Sequence, residues 1–163
     1  MTPRQLAQFA TENLGSLRHE SGQVLYSGVN TLRPGSVYLL GHNPGGQPGN
    51  TALMTVSQSL KELPTNKANS YLDSTWSGRD ALQRRVLWLL AGLGFHPREV
   101  AASNLCFVRS PSAAGINMRK CADRCWPVHQ EILKIVRPRL VLVYGNSGQS
   151  PYSYLSNKFK PGE

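Results

Sequence analysis

Acidic side chains are scarce in this chain. Only nine of its 163 residues are Asp or Glu, and none of the nine lies in the segments 41–50 or 145–150. Clustered carboxylates are what a two-metal phosphodiester-cleaving site needs, so that chemistry is not expected. Cysteine is also sparse. Cys106, Cys121 and Cys125 make an odd number, and no disulfide framework is expected from them. Cys121-Ala-Asp-Arg-Cys125 is a CxxxC pair that with Cys106 makes at most an incomplete metal set, and reduced, buried thiols are the expectation. No apolar run reaches the roughly 20 residues that cross a bilayer. The opening MTPRQLAQFATENLGSL has neither the apolar core nor the cleavage site of a secretory signal. The expectations are therefore no membrane association and a cytoplasmic protein.

Positive charge is abundant. Lys and Arg number 18, giving a net charge of +9. The excess is lopsided: residues 1–81 carry a net +1 and residues 82–163 a net +8. Such asymmetry points to an acidic polymer as partner, nucleic acid before membrane. Forty per cent of the residues are apolar and 17% charged, a globular composition that fits one domain over 1–163.

Thr2-Pro3 followed by Gln5 resembles a capped helix start, with Leu6, Phe9, Ala10 and Leu14 on one face. Gln23–Tyr26 reads as a short strand. Val37–Leu40 is a continuous apolar run entering a Gly-rich loop, the pattern of a buried parallel strand. Residues 44–78 read mostly as a long functional loop with a short helix within Leu53–Leu60. Asp80 caps a helix whose stripe is Leu82, Val86, Leu89, Leu90 and Leu93. Val100–Val108 reads as a second buried strand. A helix from about Lys120 to Val136 follows, with Cys125, Val128, Ile132, Ile135 and Val136 inward. Leu140–Tyr144 reads as a third buried strand. The order strand, helix, strand, helix, strand, with apolar rather than alternating strands, predicts an α/β fold in three layers around a short central parallel sheet. Ligands bind such sheets at the carboxyl ends of the strands. That edge receives the loop Gly41–Asn50, the segment after Asn104, and Gly145–Ser150.

The familiar nucleotide and hydrolase motifs are missing. There is no Gly-Lys-Ser/Thr, no G-x-G-x-x-G, no G-x-S-x-G elbow, and no Cys-x-x-Cys. What remains is Asn43. Its amide oxygen cannot act as a general base, but it can hold and orient a water. That suffices where the leaving group departs early and the nucleophile need only be well placed, as in removal of a base from a sugar. Ordinary turn formation is the competing reading of Asn43 before Pro44.

Gly41-His42-Asn43-Pro44-Gly45, following an apolar strand, resembles motif A of the uracil-DNA glycosylase superfamily. The likeness is to its G-x-N-P-G branches, the mismatch-specific and single-strand-selective monofunctional enzymes. Ser103-Asn104-Leu105-Cys106 at the end of the next strand resembles the position where the family reads the edge of the flipped base. The run from Arg119 through Cys125 and Pro127 to Tyr144-Gly145 is similar to the family's following helix and strand. The resemblance spans roughly residues 36–146. It implies that Asn43 positions the attacking water, that Asn104 binds the base, and that Gly41, His42 and Gly45 line the base or its phosphate. It also implies an aromatic ring stacked on the base, worth about 1–3 kcal/mol; Trp76 is the candidate and Tyr71 the second. Arg109, Arg119, Lys120 and Arg124 would grip phosphates.

The implied activity is hydrolysis of the N-glycosidic bond of uracil or a related deaminated base in DNA. No lysine stands in the motif to form a Schiff base, so water is the nucleophile, with neither cofactor nor metal. Cys106 and Cys125 lie near two of the four cysteine places of the family's iron–sulfur branches, but the amino-terminal pair is missing and no cluster is expected. The family's second motif, His-Pro-Ser or Asn-Pro-Ser after a fourth strand, is not found. The expectation is either a piece of a longer protein or a chain that has lost the last edge strand and the insertion loop. Single-stranded or mismatched DNA is then the expected partner of a monomer. The alternative is a catalytically inactive module of this fold that binds DNA or protein.

Overall fold

The three apolar runs become three parallel strands: β1 (Val37–Gly41), β2 (Ala101–Asn104) and β3 (Leu140–Val143), in the order β2-β1-β3. The computed structural model describes residues 1–47, 53–74, 80–111, 117–145 and 148–159. Among the described residues five helices surround the sheet: α1 (Pro3–Asn13), α2 (Val56–Glu62), α3 (Ala81–Gly92), α4 (Met118–Val136) and α5 (Pro151–Lys158).

Successive side chains of a strand point to opposite faces, and here both faces are apolar. Tyr38 and Leu40 of β1 pack with Ala101, Val141 and Val143 against α1, α2, α4 and α5. Val37 and Leu39 pack with Ala102, Leu142 and Tyr144 against α3 and Tyr71. This makes the three layers. The connection β1→β2 carries α3 on one face, and β2→β3 carries α4 on the other. Opposite faces are what two connections of one hand need when one moves left and the next right. The switch in direction falls between β1 and β3, at the carboxyl end of the sheet.

The helix starts follow their local signals. Thr2 accepts from the Gln5 N–H, and the Gln5 side chain returns the bond to the Thr2 N–H; Thr55 and Gln58 repeat the arrangement at α2. Asp80, Asn117 and Ser150 cap α3, α4 and α5. Each such cap is worth about 1 kcal/mol.

Several expectations are corrected. Residues 21–26 form no strand of the sheet. They run along the outer side of β2, with Gln23 N–H donating to Phe107 O and Tyr26 N–H to Ala102 O, and only isolated bridges form. The helix expected in Leu53–Leu60 is α2, shifted to Val56–Glu62, because Thr55 is its cap. In α3 only Val86 and Leu90 are buried; Leu82 and Leu93 are 46% and 45% exposed. The helix covers only one side of the sheet with few of its turns, so the outer leucines of the stripe have nothing to meet. The third strand is half-exposed rather than buried, with Leu140 at 45%; β2 and β3 are both edges of the sheet, but residues 21–26 cover the outer side of β2. The second strand pairs over four residues and not nine. Among the described residues, no helix is long and apolar enough to cross a membrane.

Candidate functional site

Strand register builds the centre of the site. Gly41 pairs with Asn104 on one side. On the other, Leu40 pairs with Val143, so Tyr144 stands one step further on beside Gly41. Asn104, Gly41 and Tyr144 thus form one row across the end of the sheet. Tyr144 packs on the α3 face, and strand alternation places Gly41 and Asn104 there too. The outer two Cα atoms of such a row are about 10 Å apart, twice the strand spacing. The Tyr144 ring spans that gap, and its hydroxyl donates to Asn104 Oδ1 at 3.4 Å. A Cβ on residue 41 would collide with the Tyr144 hydroxyl and with Asn104 Oδ1. Glycine at the middle of the row is therefore what lets the two side chains meet.

Two more tyrosines close over the row. Tyr26 lies beside the Asn104 side chain. The Tyr71 hydroxyl is 3.5 Å from that of Tyr144, and the Tyr26 and Tyr71 rings lie 6.4 Å apart, tilted. Burial pushes the phenols of Tyr26, Tyr71 and Tyr144 above their ordinary range, so all three stay neutral donors. Asn104 is only 4% exposed. Its carboxamide has one donor edge and one acceptor edge, and the Tyr144 hydroxyl meets the acceptor edge.

The loop after β1 is held to the segment after β2 like a continued pair of strands. Leu105 N–H donates to Gly41 O at 2.8 Å, Cys106 N–H to His42 O at 2.9 Å, and Ser110 N–H to Pro44 O at 3.2 Å. Asn43 is half-buried between them. Its Nδ2 donates to Pro44 O at 2.8 Å and to Ser110 Oγ at 2.9 Å. Its Oδ1 faces His42 Nδ1 at 2.8 Å, which fixes a proton on that nitrogen. His42 Nε2 faces the Gln149 carbonyl at 3.1 Å. Asn43 therefore does turn the chain, but an amide oxygen accepts two hydrogen bonds and His42 supplies only one of them.

No family model matches the chain, and no curated protein matches it.

The basic residues divide. Arg109 is half-buried and donates from Nη1 to Gly45 O at 2.7 Å; its Nε is buried with no partner among the described residues. It braces the Asn43 loop from below. Arg119 and Lys120 are exposed in the first turn of α4. Arg119 lines a cleft of about 720 Å³ between the amino-terminal ends of α4 and α5, with Gln149, Ser150, Asp123 and Lys158. Gln149 joins this cleft to His42, but neither Asn43 nor Asn104 lines it. Arg124 is used inside the fold. Its Nη2 donates to Leu14 O at 3.1 Å and to Ser16 Oγ at 3.2 Å, tying α4 to the end of α1.

Of the residues expected from sequence, Gly41, His42, Asn43, Gly45, Asn104 and Arg109 come together at one edge of the sheet. Arg119 and Lys120 lie on the neighbouring helix turn, and Trp76 falls outside the described residues. Tyr71 is there, but as a member of a buried tyrosine cluster. Tyr26, Ser110 and Tyr144 belong to the site and were not anticipated. The available signal was register: Tyr144 follows β3 directly, just as Asn104 closes β2. Among the described residues no group of three or more His, Cys, Asp or Glu is arranged to hold a metal ion.

Proposed function

We propose that the chain acts on DNA bases as an N-glycosidic hydrolase, releasing uracil or a related deaminated base by a water held at Asn43. The observation that carries the reading is the pairing of Gly41 with Asn104 at the carboxyl ends of β1 and β2. It sets the Asn104 carboxamide one strand away from the loop that presents Asn43. The water would sit on the second lone pair of Asn43 Oδ1, while His42 and Ser110 keep the amide from rotating. Because Oδ1 is not a base, the water would add to a sugar cation already formed as the base leaves. Asn104 would read the base edge with its amide, as a carboxamide does for a pyrimidine or purine edge. Arg119 and Lys120 would meet phosphates. The substrate would be a single strand or a mismatched site, where extruding the base costs least.

A specific observation favours the second reading, a binding module without catalysis. The acceptor edge of the Asn104 carboxamide is already met by the Tyr144 hydroxyl, and a base gains access only if the Tyr144 ring swings away. Tyr144→Ala distinguishes the two. In a glycosylase it opens the pocket, and affinity for a uracil-containing single strand rises relative to the same strand with thymine. In a binding module both strands bind as before, with the same salt dependence.

A further inference from the structure

The outer face of α3 carries a group that base release does not use. Trp88 is 79% exposed, more than any other large apolar side chain among the described residues. At 3.6 residues per turn it points about 180° away from the mean direction of Val86 and Leu90, the two α3 residues buried on the sheet. Arg84 and Arg85 stand one turn before it, one to either side, and both are exposed. With Ala81 the three line a groove of about 300 Å³. Among the described residues neither arginine enters an ion pair. No other ring and no cation stacks on the indole there. The helix has no acidic residue, and the Asp80 carboxylate before it is occupied by the Leu82 and Gln83 N–H groups. An open aromatic face between two unpaired guanidiniums is thus held on a rigid helix.

We propose that this face is a second nucleic-acid contact, where an unpaired base of a DNA strand stacks on Trp88 while Arg84 and Arg85 meet the phosphates on either side of it. Every base has a flat face, so stacking of this kind tolerates any sequence. A paired duplex hides its base faces and gains nothing from the indole. Charge complementarity favours a polyanion over an apolar protein surface. The outermost line of α3 is Ala81, Arg84, Arg85 and Trp88, one ring among charges. The exposed Leu82 and Leu93 lie about a third of a turn round the helix from it, so no continuous apolar patch forms.

The fold sets this face beside the candidate site. Because β1 and β2 are parallel and α3 lies in the connection between them, α3 runs back from the carboxyl ends of the strands. Its first turns, with Arg84 and Arg85, therefore flank the edge that carries Asn43 and Asn104. A strand with one nucleotide at that edge can continue along α3. The inference rests on the proposed action on DNA only in naming the strand as DNA; the stacking needs no base release.

Binding of two single strands of equal length tests this, one of thymine nucleotides and one of abasic nucleotides, which share phosphates but differ in bases. Anisotropy of an end-labelled strand gives the affinity of the intact protein. Trp88→Ala should weaken binding of the thymine strand by about five- to a hundredfold and leave the abasic strand unchanged. Trp88→Phe, which keeps a ring, should recover part of the loss. Arg84→Ala and Arg85→Ala should each lower the slope of log affinity against log salt by about 0.7 on both strands, with the preference for bases kept. Equal affinity of wild type and Trp88→Ala for the thymine strand, or an equal loss on both strands, overturns the proposal. Self-association of the wild type that Trp88→Ala abolishes, with strand affinity unmoved, overturns it in favour of a protein contact. Thymine is not a deaminated base, so this result stands apart from the hydrolase reading: strands that stack on Trp88 and release no uracil count against that reading alone.

Discussion

His129 lies under the end of β2, fully buried, with Tyr38 Oη 2.8 Å from Nδ1 and the Leu105 carbonyl 3.1 Å from Nε2. The carbonyl can only accept, so Nε2 carries the proton and Nδ1 accepts from the Tyr38 hydroxyl. Protonating Nδ1 would place a charge in hydrocarbon and remove the acceptor for Tyr38. Burial accordingly pulls the His129 pKa down from 6.5 to about 4, against the smaller opposing pull of the Leu105 and Asn104 backbone. Above pH 6.5 the ring is neutral in both folded and unfolded chains, and stability is at its full value. Between pH 6.5 and pH 4 the unfolded chain takes up a proton that the fold refuses, so stability falls on acidification and the loss is complete below pH 4. A shift of this size amounts to about 3 kcal/mol at 1.36 kcal/mol per pKa unit, a large share of the roughly 5–15 kcal/mol that holds a domain of this kind together. The assay is urea unfolding at several pH values from 4 to 7.5, comparing wild type with His129→Gln, which keeps an acceptor and a donor but cannot titrate. Subtracting the variant removes the carboxylates that titrate in the same range. The difference curve should slope by up to about 1.4 kcal/mol per pH unit between 6.5 and 4. A flat difference curve refutes the reasoning.

Further expectations follow from the site. Gly41→Ala forces Tyr144 and Asn104 apart and should destabilise by about 1–3 kcal/mol, with a change in tyrosine near-ultraviolet circular dichroism that Gly46→Ala, placed away from the tyrosines, does not produce. Arg124→Ala loses the bonds to Leu14 and Ser16 and should cost about 1 kcal/mol in urea unfolding, leaving the salt dependence of DNA binding unchanged. Arg119→Ala should do the reverse, leaving stability alone and lowering the slope of log affinity against log salt on single strands by about 0.7.

The strands were legible because buried parallel strands leave short apolar runs, and Val37–Leu40 and Leu140–Val143 are such runs. Helix starts were legible because their caps act within three residues: Thr2 with Gln5 and Asp80 with Gln83 are local contacts. What the sequence hid depends on partners far along the chain. Tyr144 meets Asn104 forty residues away, over a glycine that neither position advertises. Leu82 and Leu93 share an apolar stripe with Val86 and Leu90, but the stripe is wider than the sheet beneath it. Arg124 read as a phosphate-gripping charge because its acceptor, Leu14 O, comes from the opposite end of the chain. Asn43 was the intermediate case. Its turn-forming bond to Pro44 O is local, whereas Ser110 and the second strand-end segment reach it only through the fold.

Base release from labelled oligonucleotides tests the central claim most directly. Strands carrying uracil, hypoxanthine or xanthine, single or in mismatched duplexes, are incubated with enzyme in excess, and abasic sites are cleaved with alkali. The account predicts release of at least one base by wild type and by Tyr144→Ala, with loss of at least about a hundredfold in Asn43→Ala, the low end of what positioning effects of this kind supply. Oligonucleotides that bind to both proteins with no base released, or released equally by wild type and Asn43→Ala, would contradict it.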